Sequence, residues 1–398
     1  MHVRILALTT GNFLTADSGS RLRDYHMCSA LSRLGDLDVL TFAPHQDIAG
    51  PTRDIDANVM IDTARPRAVS MLASLVRRKL YHGYLFDPRQ HKAFTSVAAN
   101  SYDVIYSSMV YAVPAAVQLR GDGPSADSLV VWDTHNFDPD VWKLMAANSG
   151  LLRRVVAHRQ IGPAVNAVKA AASSADIVLA CTDEDAGKLK QISPAGSVYV
   201  VPNGGETEHW SDAGQSTDAV PGSCVIFGTL SQNSTRRGLE WFLDRVWERV
   251  REGSPGATLT VAGRDPAPGL SRRVSREPGV RLVVNPADLA AEVAKAQVIA
   301  IPQVTGTGSK VKVFEALATG RPIVASSAAL SGVPDDLRLN VTVPDDEDEW
   351  VSWILSSFDN PPSGDGRRWN RALIDRSDWS ASADRLLALL REQVLDQR

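Results

Sequence analysis

The chain has 398 residues, more than one ordinary core organises, so two domains are expected. Hydrophobic residues make up 44% and charged residues 22%, the balance of a water-soluble globular protein and not of a disordered or fibrous one. A formal net charge of −4 gives no global attraction for nucleic acid, and no segment approaches the ~18 apolar residues of a membrane span.

The chain opens directly as a strand. Val3–Leu8 is a continuous apolar run, as at the centre of a parallel sheet. No signal-peptide core precedes it, so a cytoplasmic protein is expected, with peripheral contact at the inner face of the membrane left open. Cys28, Cys181 and Cys224 are odd in number and far apart. They read as buried small hydrophobes in a reducing compartment, without metal-ligand spacing. The loop Thr10–Ser20 follows the strand. Arg21–Leu34 then carries an apolar face at helical spacing, and Asp38–Phe42 is a second strand. This strand–loop–helix–strand unit begins a doubly wound domain, but its loop is not GxGxxG, so the dinucleotide-oxidoreductase fingerprint is missing.

Residues 44–70 read as polar and irregular. Val69–Tyr84 is amphipathic, with Arg77, Arg78, Lys79 and His82 on its polar side. An ordinary solvated helix face is the simpler reading, and a helix meeting an acceptor or a membrane the alternative. Asp103–Ser107 and Leu129–Asp133 are further strands, the second running into Thr134, His135, Asn136 and Phe137. A histidine just past a buried strand stands where open α/β sheets bind ligands, although a purely structural histidine fits there too. Residues 141–174 read as helical, Ala175–Ala180 as a strand, Thr182–Asp185 as a helix start and Ser197–Val201 as a strand. The polar residues 206–222 read as an inter-domain linker.

A second sheet follows. Cys224–Phe227 is its first strand, Gly228–Gly238 a loop and Leu239–Val250 a helix. Thr258–Ala262 and Val280–Val284 are strands, and Pro286–Ala294 is a helix. Val298–Pro302 is a buried strand, followed by the small-residue loop Gly306, Thr307, Gly308 and Ser309. A helix with Val313, Phe314, Leu317 and Ala318 on one stripe comes next, then the strand Ile323–Ala325. A Gly-rich loop entering a helix N-terminus aims free N–H groups and a positive dipole end at one point, which suits a phosphate. Lys310 and Lys312 add positive charge there, and Glu315 needs a partner such as a ribose diol. Trp350–Phe358 and Asp378–Leu395 read as closing helices. The alternation implies two doubly wound, Rossmann-like parallel-sheet domains facing each other across a cleft. Their bounds are 1–205 and 206–375, with the helix 376–398 crossing back to the first domain.

Several blocks together resemble one family. They are PNGGETEHW (202–210), FGTLSQNSTRRGLEWF (227–242), TVAGRDP (260–266), the run 280–303 and the run 306–333. In the first half they are 18–42, DTHN (133–136) and 175–189. The chain resembles the retaining glycosyltransferases of family 4, which have the GT-B fold, and within them a G-x-G-x-K-x-K-x-x-E subset. The resemblance implies that the second domain binds a nucleoside-diphosphate sugar as donor substrate, with no other cofactor and no metal. It assigns the ribose hydroxyls to Glu315 and places Thr307 where a glutamate is common, so that Gly308, Ser309 and Lys310 grip the sugar through backbone N–H groups. It further implies phosphate contacts from Gly19, Gly228, Gly306, Lys312, Arg236 and Arg237, and a place beside the transferred sugar for His135. His135, Lys310 and Arg237 are the expected catalytic residues. The acceptor would be a glycan, a lipid-linked glycan or a small molecule. An epimerase or phosphorylase-like enzyme of the same fold is one alternative. An inactive nucleotide-sugar-binding module is the other.

Overall fold

The computed structural model describes residues 3–16, 18–43, 52–63, 92–122, 124–148, 150–192, 197–266, 268–304, 311–360 and 375–396. Two compact units divide the chain. The first holds residues 1–202 together with 382–398, and the second holds Asn203–Ala381.

In the first unit the strands are β1 (Arg4–Thr10), β2 (Asp36–Ala43), β3 (Asn58–Thr63), β4 (Val104–Ser108), β5 (Leu129–Thr134), β6 (Ile177–Ala180) and β7 (Ser197–Val200). They form one parallel sheet in the order β3-β2-β1-β4-β5-β6-β7. The helices are α1 (Gly19–Ser32), α2 (Lys92–Ala98), α3 (Val113–Asp122), α4 (Asp138–Ala147), α5 (Leu151–Ser174) and α6 (Asp183–Ile192). Every residue of β4 and of β5 is buried, which is why these strands read as unbroken apolar runs and not as alternating ones. The strand order reverses between β1 and β4. Open α/β sheets bind their ligands at the carboxyl edge beside such a switch.

In the second unit α7 (Thr207–Ser216) precedes β8 (Val220–Thr229), α8 (Asn233–Phe242), a π turn (Leu243–Trp247) and α9 (Glu248–Gly253). Then come β9 (Thr258–Arg264), α10 (Pro268–Val274), β10 (Val280–Val284), α11 (Leu289–Ala294), β11 (Ala296–Ile301), α12 (Val311–Ala318) and β12 (Ile323–Ala325). The strands pair in parallel in the order β10-β9-β8-β11-β12, with the switch between β8 and β11. Alternate residues of β8 feed two cores. Val225 and Phe227 pack on one face of the sheet, and Cys224 and Ile226 on the other. After β12 come α13 (Asp335–Arg338) and α14 (Glu347–Asp359), then α15 (Trp379–Asp396), whose residues from Ser382 on belong to the first unit. The apolar stripe of α15, Trp379, Ala383, Leu386, Leu387 and Leu390, is buried.

Three expectations need correction. Residues 206–222 are not a linker: α7 buries Trp210 and Ala213 in the second unit's core, and β8 begins at Val220. The polar letters of this stretch lie on the outer face of an amphipathic helix. Residues 44–70 contain β3, whose six residues pair in register with β2 at the sheet edge. Edge pairing supplies through hydrogen bonds what the short apolar run Val59–Ile61 does not signal by itself. Gly228–Gly238 is mostly ordered as well, since α8 starts at Asn233. Gly238 allows this helix to sit close to the sheet, because a Cβ on it would lie 1.8 Å from the Pro302 carbonyl oxygen. The helix expected over 69–84 lies outside the described residues.

The three cysteines are free and buried, and burial pushes the Cys181 and Cys224 thiols up to about 12, which suits packing and not reactivity. Among the described residues no helix is long and apolar enough to cross a membrane.

One charged contact anchors α1 to the sheet. Arg23 and Asp133, both with fully buried side chains, form a two-pronged pair: Nε donates to Oδ2 at 2.8 Å and Nη2 to Oδ1 at 2.6 Å. Arg23 Nη1 also donates to the Val201 carbonyl at 3.0 Å, and the Tyr106 hydroxyl donates to Asp133. Removing one partner strands a buried charge, so Arg23→Met should destabilise the protein by about 3–5 kcal/mol. Urea unfolding followed by tryptophan fluorescence measures this. The paired change Arg23→Met with Asp133→Leu should recover part of the loss.

Candidate functional site

The second unit builds its site at the carboxyl edge of β8, β9 and β11. Its pocket is lined by Phe227 of β8, Ile301, Pro302 and Gln303 at the end of β11, Thr235 of α8 and Lys312 of α12. This is the crevice beside the β8/β11 switch. Gly228 has a φ of +132°, a backbone state that side chains rarely adopt, and a Cβ there would lie 3.5 Å from Lys312 Nζ. Lys312 Nζ donates to Thr235 Oγ1 at 3.2 Å. Arg264, half-buried at the end of β9, donates through Nε to Thr229 Oγ1 at 3.2 Å. Two cations thus stand around the end of β8, each braced by a threonine hydroxyl.

Glu315 lies one turn along α12 from Lys312, and both keep part of their surface open. Burial pushes the Glu315 carboxyl up to about 8, and the charge of Glu206 adds to this while Lys312 opposes it. Burial pulls the Lys312 ammonium down to about 8, partly offset by Glu315. At pH 7 the lysine therefore stays cationic while the glutamate is largely the neutral acid, leaving net positive charge for an anion. Glu206 is close because the loop before α7 leans on α12: a Cβ on Gly205 would meet Phe314 Cβ at 3.1 Å and Glu315 N at 3.4 Å.

The first unit carries a second cluster, at the carboxyl edge of β4 and β5. His135 follows β5 and is only 6% exposed. Its Nε2 lies 3.2 Å from Ser108 Oγ and 3.3 Å from Asp24 Oδ1, and Ser108 Oγ donates to Asp24 Oδ1 at 2.6 Å. Asp138, in the first turn of α4, has its carboxyl pushed up to about 6 by burial, against the pull of His135.

Of the expected site residues, Gly228, Lys312 and Glu315 share the second unit's switch-point region. Arg236 turns along its own helix: Nη1 donates to Glu240 Oε1 at 2.7 Å and Nη2 to Asn233 Oδ1 at 2.9 Å. Arg237 is exposed on α8. Gly19 is the first residue of α1, the helix whose Asp24 reaches His135. Gly306, Thr307, Gly308, Ser309 and Lys310 lie outside the described residues. Sequence reasoning gave no role to Arg264, Thr229, Thr235, Glu206, Asp24 or Ser108. The block TVAGRDP held the signal for Arg264, since a charged residue ends a buried strand there. Asp24 and Ser108 carry no local signal, because only folding brings them to His135.

Residues 222–360 match the family model of group 1 glycosyl transferases. A search of curated proteins found no match. Among solved structures, HepE from Anabaena in complex with UDP is similar over 98% of this chain and 100% of its own, at 17% identity and a TM-score of 0.63. HepE in complex with UDP-glucose is similar over the same shares at 18% identity and a TM-score of 0.61. An α,α-trehalose 6-phosphate synthase from Burkholderia multivorans is similar over 100% of both chains, at 13% identity and a TM-score of 0.62. The fold is thus GT-B, built from two parallel-sheet α/β units.

Rising pH should act on the second unit's site with one sign. Through about pH 8 Lys312 loses its positive charge and Glu315 gains a negative one, so affinity for inorganic pyrophosphate should fall between pH 7 and 9. Calorimetric titration checks this. Lys312→Arg, whose charge persists, should flatten the lysine's part of the fall, and Glu315→Gln the remainder.

Proposed function

We propose that the protein is a glycosyltransferase. It moves a sugar from a nucleoside-diphosphate sugar to an acceptor hydroxyl, with retention at the anomeric carbon and without a metal ion. The observation that carries this reading is the Lys312–Glu315 helix start beside the β8/β11 switch pocket, inside the stretch that matches group 1 glycosyl transferases.

In the reaction the bond from the anomeric carbon to the diphosphate oxygen breaks, and a bond to the acceptor oxygen forms on the same face of the sugar. The acceptor's proton passes to the leaving phosphate oxygen, so no protein base is required. The departing nucleoside diphosphate carries extra negative charge. Positioned donors stabilise such charge, each worth roughly 3–4 kcal/mol. Lys312 and Arg264 supply them from the described residues, and the family resemblance adds Lys310 and Gly306–Ser309 as phosphate ligands. Glu315 takes the ribose hydroxyls, and ligand binding draws it to the ionised form. For the first unit, the family resemblance assigns His135 to a sugar and Gly19 to a phosphate. The acceptor is a glycan, a lipid-linked glycan or a small molecule. The site of action is cytoplasmic, and the basic stretch 69–84 would carry any peripheral membrane contact.

The HepE complexes make UDP and UDP-glucose the first ligands to test. A ligand at 100 times its Kd should add about 2.7 kcal/mol of stability, a clear rise in melting temperature. Lys312→Met should weaken nucleoside diphosphate binding at least tenfold, and Glu315→Gln should weaken the nucleotide more than it weakens pyrophosphate. If no nucleoside diphosphate of any base shifts the melting temperature, the reading fails.

A further inference from the structure

Three elements of the first unit converge on His135, and together they dictate its hydrogens. A hydroxyl has one proton, and an ionised carboxylate only accepts. At 2.6 Å from Asp24 Oδ1, the Ser108 hydroxyl gives its proton to the carboxylate. Its oxygen then has only lone pairs for the ring nitrogen 3.2 Å away, so His135 Nε2 must carry the hydrogen. The 3.3 Å approach of Nε2 to Asp24 Oδ1 asks for the same. Whenever the ring is neutral Nδ1 is then a bare lone pair; Asp138, the other carboxyl that feels this ring, accepts no hydrogen bond from it. Among the described residues that Nδ1 is a buried atom with no hydrogen-bond partner. A buried acceptor left unpaired costs free energy that a hydroxyl donor would recover, so a native fold rarely keeps one without a use for it.

We infer that Asp24, acting through Ser108, is a positioning residue that holds His135 in the Nε2–H tautomer, so that Nδ1 accepts a hydrogen bond from a sugar hydroxyl of the substrate. The identity of that ligand rests on the transferase reading above; the tautomer does not. The architecture keeps the clamp rigid. Asp24 follows Arg23, whose buried pair with Asp133 fixes this turn of α1 against β5, and His135 stands two residues after Asp133. Ser108 ends β4, which pairs with β5 through Ser108 and Asp133. The Asp24 and Ser108 side chains are both fully buried, so water does not compete for these bonds.

Long-range proton–nitrogen spectra of the 15N-labelled full-length protein read the tautomer directly, with the His135 signals assigned by their loss in His135→Gln. The wild type should show Nε2–H. In Asp24→Ala the serine hydroxyl is free to donate a hydrogen bond to a bare Nε2, and the ring should change to the Nδ1–H form by proton exchange with solvent. Asp24→Asn retains an acceptor oxygen for Ser108 and should keep the wild-type tautomer, which a merely structural role for Asp24 would not require. With UDP-glucose as donor, Asp24→Ala should lower turnover at least tenfold. Affinity for UDP, which has no transferable sugar, should stay within twofold. An Nδ1–H ring in the wild type overturns the inference even if Asp24→Ala does not fold, and so does an unchanged tautomer in a folded Asp24→Ala. Failure of every nucleoside diphosphate to bind the wild type would instead sink the transferase reading and leave the tautomer result standing.

Discussion

The buried pair of Arg23 and Asp133 is the contact on which the first unit's site depends. Both side chains are withdrawn from water, and the pair is tolerable only because its remaining bonding positions are filled, by Tyr106 on one side and the Val201 carbonyl on the other. Its consequence is geometric. An α-helix packed on a sheet by apolar contacts alone has freedom to slide, whereas a two-pronged guanidinium–carboxylate contact does not. With Arg23 fixed, Asp24 has one place to go, against Ser108 and His135. The two consecutive residues of α1 thus do different work: the first sets the position of the helix, and the second sets the state of the histidine.

The second unit handles charge in the opposite way. Among the described residues Lys312 has Thr235 as its one hydrogen-bond partner, and Glu315 has none. Burial therefore shows in both, lowering the lysine and raising the acid until each titrates near neutrality. Such a pair adds little to stability and leaves room for a ligand to complete the site. Placed beside the β8/β11 switch and braced by Thr235, it suits a ligand with both an anion and a diol. The contrast is between the Arg23–Asp133 pair, whose charges the protein satisfies, and the Lys312–Glu315 pair, whose charges burial disfavours.

The parallel strands were the most legible part of the sequence. β5 and β11 are apolar at nearly every position because both faces of their sheets are covered, and a run that short and that apolar fits little except a strand buried on both sides. Helices were legible where an apolar stripe recurred, as in α15. β3 was not, since an edge strand owes its existence to its neighbour, here β2. α7 was mistaken for a linker because its inward residues, such as Trp210 and Ala213, are few and widely spaced among polar ones. In the site, Lys312 and Glu315 could be named from the strand–loop–helix pattern, whereas Gly228 came only with the family resemblance. Arg264 and Thr235 could not, because they lie far from that helix in sequence and join it only at the sheet edge.

The sequence by itself determined the two α/β sheets, the kind of ligand the second sheet's helix start would suit, and the placing of a histidine at the end of a buried strand. Each of these is a local matter, written in periodicity, glycine placement and residue type within a few tens of residues. Only the tertiary structure decided what those residues are chemically. Whether Glu315 is an acid or a carboxylate depends on burial and on Glu206, which is more than a hundred positions away in the chain. Which nitrogen of His135 bears the hydrogen depends on Asp24 and Ser108, set on two other elements. Protonation and tautomer follow from desolvation and from neighbours in space, and a linear sequence specifies neither until the chain has folded.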